Sequence, residues 1–189
     1  MFAPAAARAA EHLSSPGLRV LDVGAGAAPW SLALAAHDPS CHVTAVDLPA
    51  VLQVTRQAVA AAGCAAQFAY MSGDVFAVDW GRAAYDLAIV GNLCHLFDAD
   101  ANRRLLGRLF DALRPGGRLA IIDALPNDQL DGPRSVALYA LGLLLRTQHG
   151  RVYPYFTYVG WLHEAGYDAV QRIALGEAPP LNLIMARRP

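Results

Sequence analysis

Apolar and polar positions along this chain follow two different periods. Short apolar runs at 18–23, 41–46, 67–71, 85–90 and 118–122 end in Gly, Asp or Asn and are too brief for helices. Runs of that length between turn residues predict buried strands. Between them, residues 3–14, 28–37, 49–63 and 98–114 read as helices, with Pro49 at a first helical position and Pro115-Gly116-Gly117 closing the last. Strand and helix alternate five times, which predicts a parallel α/β sheet covered on both faces. The remainder departs from this rhythm. Residues 133–148 and 155–165 predict two more helices, and 168–175 and 181–187 two final strands, joined by a turn at GEAPP, 176–180.

Composition narrows the classes. A length of 189 residues predicts one domain over 1–189. Hydrophobic residues make up 55% and mean hydropathy is +0.29, so some apolar surface is expected to meet a partner. All fifteen basic residues are Arg, none forms a cluster, and the net charge is −1, which argues against nucleic acid. The longest apolar run, 136–145, is too short for a bilayer, which needs roughly 20 residues. The opening MFAPAAARAAEHL carries Arg8 and Glu11 and reads as an amphipathic helix rather than a signal peptide. Cys41, Cys64 and Cys94 have no metal-ligand spacing, and reduced thiols in the cytoplasm fit them best.

Each predicted strand has polar or glycine positions at its C-terminal end: Asp22 with Gly24 and Gly26, Asp47, Asp74, Asn92 with His95, and Asp123. In an open parallel sheet these ends share one edge, and ligands bind there. A lone Asp47 or Asp74 also reads as a helix N-cap; the set along one edge favours a site. Glycine lets the backbone approach a ligand closely. Asp47 follows Gly26 by 21 residues, the spacing of an acid that accepts hydrogen bonds from ribose hydroxyls. An adenosine-type ligand is expected. Pro29 stands where a dinucleotide fingerprint needs close approach, which counts against a nicotinamide cofactor.

At these residues the chain resembles the class I S-adenosylmethionine-dependent methyltransferases, through LDVGAG at 21–26. The motifs VDLPAV (46–51), GDVF (73–76), CHLFD (94–98) and LRPGGRLAIID (113–123) resemble, more narrowly, the small-molecule O-methyltransferases of caffeate-type plant enzymes and bacterial polyketide and antibiotic pathways. The resemblance implies an α/β, Rossmann-like doubly wound sheet of about seven strands, mostly parallel with the last antiparallel, helices on both faces. It implies S-adenosylmethionine as cofactor and no metal. Gly24 and Gly26 would then face the methionine end, Asp47 the ribose, and Asp74, Val75 and Phe76 the adenine, with Asp22, Leu48 and Asn92 also binding the cofactor. His95 would be the general base, oriented by Asp123. Residues 131–166 would be a substrate-binding helical insertion, with Tyr139, Leu143, Thr147 and Phe156 as the wall for a small aromatic substrate.

Three departures stand out. A second acid that supports the histidine in plant members falls near Val152-Tyr153, where there is none; a Lys four residues before the histidine is Gly91; and the family's N-terminal helical dimerisation domain has no counterpart. Either the chain is the catalytic part only, or the enzyme is naturally short or split; the partner expected is a second copy in a homodimer or a separate chain supplying that domain. Blander readings stand beside it. His95 can be a hydrogen-bonded histidine that moves no proton, and the wall residues can be ordinary core. His149 is a weaker substrate candidate, and His163 reads as solvated. Alternatives for the whole chain are a relative that binds the same cofactor but runs another reaction, a non-catalytic subunit needing a partner, and a nicotinamide oxidoreductase.

Overall fold

The structure, a computed structural model, describes residues 2–176 and 180–189. Residues 177–179 of the turn expected at 176–180 lie outside the described residues. The elements run α1 (Ala3–Leu13), β1 (Arg19–Val23), α2 (Pro29–His37), β2 (His42–Asp47), α3 (Pro49–Ala61), β3 (Phe68–Ser72), β4 (Tyr85–Gly91), α4 (Ala99–Ala112), β5 (Leu113–Ala124), α5 (Arg134–Arg146), α6 (Tyr155–Glu164), β6 (Asp168–Ala174) and β7 (Leu181–Arg187). Single 3₁₀ turns occupy Ala65–Gln67 and Cys94–Leu96.

Seven strands form one sheet in the order β3-β2-β1-β4-β5-β7-β6. The first five pair in parallel, and β7 runs antiparallel to both of its neighbours. Central strands are apolar on both faces because each face must be covered. Val20, Leu87, Ile89, Ala120 and Ile122 turn to the side of α1, α2 and α3. Leu21, Ala88, Val90, Leu119 and Ile121 turn to the side of α4 and α6, onto Leu105, Leu109, Trp161 and Leu162. Helix α1 presents Ala5, Ala6, Ala9, Ala10 and Leu13, and these small side chains let it lie close on α2.

One boundary differs from the expected one. The sequence pattern carries the helix to 114 and starts the strand at 118, yet α4 stops at Ala112 and β5 begins at Leu113, with Pro115-Gly116-Gly117 inside the strand. The C-terminus explains this. Gly116 N–H donates to the Arg188 carbonyl at 2.8 Å, and Arg188 N–H donates to the Gly117 carbonyl at 2.8 Å. The Arg188 guanidinium donates to the Phe110 carbonyl at 2.6 Å and also caps Asp111 and Leu113. Leu113 is thereby pulled into pairing with Tyr85, and the register shifts before Leu87.

Candidate active site

The chain runs β1 to β3 in one direction across the sheet, then returns to place β4 on the other side of β1. That reversal opens a crevice at the C-terminal ends of β1 and β4. A cavity of about 660 Å³ lies there, lined by Gly24 to Ala27, Trp30, Gly91, Asn92 and the start of α1. Trp30, with its ring 5.6 Å from Phe2, forms part of its wall. An added Cβ at Gly91 would collide with the Trp30 indole. A side chain four residues before His95 would therefore require the Trp30 indole to move.

The glycine loop is tied to β2. Gly24 N–H donates to the Val46 carbonyl at 2.9 Å, and Gly26 N–H donates to Asp47 Oδ2 at 2.9 Å. Leu48 N–H donates to Asp47 Oδ1 at 2.8 Å, and the Thr55 hydroxyl donates to the Gly26 carbonyl at 2.6 Å. Gly24 has φ +70°, and a Cβ there would sit 2.8 Å from Leu93; Gly26, at φ +56°, faces open space. The N-cap reading of Asp47 is overturned, because Leu48 holds the cap position of α3 and no side chain caps it.

Asp22 lies beneath this loop, buried, with Oδ2 accepting from the Ser31 hydroxyl. Among the described residues its buried Oδ1 has no hydrogen-bond partner. Burial pushes the Asp22 carboxyl up to about 7; the Ser31 hydrogen bond opposes this, and the charge of Asp47 adds to it. Asp74 is exposed and accepts from Phe76 N–H at 2.7 Å, while Val75 is buried and Phe76 meets the Phe97 ring edge-on at 5.0 Å. Arg108 on α4 holds this segment by donating to the carbonyls of Phe76 and Val78. No sequence signal marked Arg108, since one Arg among fifteen carries no pattern.

His95 sits in the Cys94–Leu96 turn and is buried. Its Nδ1 is 2.8 Å from Asp123 Oδ1 and 3.1 Å from Oδ2. Asp123 is itself buried and also accepts from Ala124 N–H at 2.8 Å, with the Tyr158 hydroxyl 3.5 Å from Oδ2. The other ring nitrogen, Nε2, is 2.9 Å from the Tyr139 hydroxyl on α5. Asn102, fully buried on α4, clamps the histidine turn by donating to the carbonyls of Cys94, Phe97 and Asp98. Near the place of the absent second acid, the Tyr153 hydroxyl donates to the Phe97 carbonyl at 2.8 Å and braces the same turn. Tyr153 and Tyr158 carry no sequence signal because their partners lie 56 and 35 residues away, and Asn102 carries none because a polar residue on a helix reads as solvated until its burial is known.

The four wall residues part company. Tyr139 reaches His95. Leu143 is buried against the body of the protein. Thr147 spends its hydroxyl on the end of α5, donating to the Leu143 carbonyl and accepting from Gly150 N–H, both at 2.8 Å. Phe156 is more than half exposed, because α6 turns Tyr158, Trp161 and Leu162 inward and Phe156 is about 200° of helix from Tyr158. The structure does not bring Phe156 to His95. His149 and His163 are both exposed. Among the described residues, no group of His, Cys, Asp or Glu is placed to hold a metal, and no helix is long and apolar enough to cross a membrane.

Known proteins share this architecture. A 3-hydroxy-5-methyl-1-naphthoate 3-O-methyltransferase from Streptomyces sahachiroi is 32% identical over 168 residues, 89% of this chain and 48% of that protein. An L-tyrosine C(3)-methyltransferase from Streptomyces lavendulae is 29% identical over 173 residues, 90% of this chain and 47% of that protein. The chain thus spans about half the length of these curated relatives. In a crystal structure, an O-methyltransferase family 2 protein from Planctomyces limnophilus, in complex with apigenin, superposes with TM-score 0.89 at 28% identity. That match covers 97% of this chain and 57% of that one. The sequence model of the O-methyltransferase domain matches residues 8–168, and the chain therefore belongs to that family.

Proposed function

We propose that this chain transfers a methyl group from S-adenosylmethionine to a ring hydroxyl of a small aromatic or polyketide-type molecule, with His95 as general base. The observation that carries the reading is the buried Asp123–His95 pair, whose second ring nitrogen, Nε2, meets the phenol of Tyr139 at 2.9 Å. The crevice fits the cofactor. Gly26 opens onto free space, Asp22 keeps a buried oxygen without a partner among the described residues, and Asp47 presents a carboxylate at the loop's edge. Gly24, Gly26 and Asn92, over Asp22, would hold the methionine end. Asp47 and Leu48 would take the ribose, and Asp74, Val75 and Phe76 the adenine. Bound there, the cofactor supplies an electrophilic methyl group on a sulfonium.

The chain's own residues then do three things. The crevice aligns the acceptor oxygen with the methyl carbon for in-line attack, at about 3 Å. Asp123 accepts Nδ1–H of His95, which leaves Nε2 as the basic atom, and stabilises the imidazolium once formed. Nε2 takes the proton from the acceptor hydroxyl, worth about 10²–10⁴-fold in rate. The test is methyl transfer to a panel of hydroxynaphthoates, with His95→Ala beside the unaltered chain. The variant is expected to lose activity by that factor while binding S-adenosylhomocysteine unchanged. Equal turnover by both proteins would remove His95 from the mechanism.

The Streptomyces lavendulae relative favours a second reading, methylation of carbon. Ionising a phenol also raises the electron density of its ortho carbons, so the same base serves. NMR of the product separates an O-methyl from a C-methyl group.

A further inference from the structure

Helix α5 crosses the histidine face on a light tether. Along its thirteen residues only Val136 and Leu143 are buried, whereas Leu138, Leu141, Leu144 and Leu145 are each more than half exposed. A helix with so few buried apolar contacts belongs to the locally unstable part of a fold. Tyr139 is the inward-turned residue between these two anchors. Its ring stands edge-on to the His95 imidazole, centroids 5.3 Å apart at 81°, and its hydroxyl takes the hydrogen-bonding position at Nε2.

Nε2 has one lone pair in the plane of the ring. Nδ1 is committed to Asp123, so this lone pair is the only one free to accept a proton. Two hydroxyls cannot share it at 2.9 Å. Burial pushes the Tyr139 phenol up to about 12, with the Asp123 charge adding and Arg146 opposing, so it stays a neutral donor. An acceptor hydroxyl must therefore take the place that Tyr139 holds.

We propose that Tyr139 is a specificity-determining gate: its phenol stands in for the acceptor, and the acceptor is a neutral phenol that displaces it with the same edge-on approach to His95. This rests on the proposed role of His95. Loss of one neutral hydrogen bond on displacement sets the scale, about 2- to 10-fold in acceptor affinity. The motion needed is local, because only Val136 and Leu143 tie α5 into the core.

The test uses the full chain, ¹⁵N-labelled at histidine and saturated with S-adenosylhomocysteine, titrated with 2-naphthol, alongside Tyr139→Phe. The variant keeps the ring and removes only the hydroxyl; a thermal unfolding curve checks that it folds. The Nε2 signal of His95 is expected to move in the free variant, to return when 2-naphthol binds, and to report affinity about 2- to 10-fold tighter than in the unaltered chain. Equal or weaker affinity in Tyr139→Phe, with His95 responding in both proteins, overturns the gate and leaves His95 as the acceptor's partner. No response of His95 in either protein overturns the gate together with the proposed role of His95.

Discussion

Asp22 carries a tension that a single substitution exposes. A carboxyl pushed up to about 7 in the folded chain, against 3.8 as its ordinary value, binds a proton that the unfolded chain has already lost. Stability must then fall as pH rises from about 4 to about 7, and stay low above it, because the unfolded state binds fewer protons in that window. The cost at pH 8 is on the order of a few kcal/mol. Asp22→Asn is expected to flatten this slope, so that thermal melting of the variant gains on the unaltered chain between pH 4 and pH 7 and holds that gain above it. Parallel curves would mean that the buried oxygen finds a partner in solution. At this scale the sequence was legible where a strand end coincides with a motif, as at Asp47, His95 and Asp123. It was silent where a neighbour from elsewhere in the chain decides the outcome. A side chain at residue 91 would require Trp30 to move, and Tyr153 braces the histidine turn, and neither can be read from spacing.

Among the elements, the alternating strands and helices were read nearly to the residue, since each is defined by its own apolar period. The junction of α4 and β5 was misplaced because its geometry is imposed by the C-terminal Arg188, 75 residues beyond Leu113. Arg188 also lies over the Phe110 ring, 4.6 Å from its centroid. Its removal strips the last turn of α4 of its cap. Arg188→Ala is expected to destabilise the fold by about 1–3 kcal/mol, seen as a lower urea midpoint at unchanged slope. Arg188→Lys should recover part of the loss, because one nitrogen, Nη1, meets all three carbonyls and an ammonium carries three donors. An unchanged midpoint in Arg188→Ala would show that strand pairing alone sets the junction. Helix α5 was legible as a helix, yet its exposed leucines were not, because an apolar helix reads as core until its neighbours are known.

For the whole molecule, the order of strands matters more than any motif, because it creates the crevice between β1 and β4 and aligns five strand ends along it. The family follows from the match over residues 8–168, and the cofactor reading rests on that crevice being complete within this chain, although the chain spans about half of its curated relatives. The most direct measurement is a calorimetric titration with S-adenosylhomocysteine, on the unaltered chain and on Asp47→Asn. The expected result is one site per chain at micromolar affinity, weakened about 10- to 100-fold in the variant, the scale of hydrogen bonds to a charged group. No binding to the unaltered chain, or equal binding by both, would contradict a glycine loop and Asp47 that together hold adenosylmethionine.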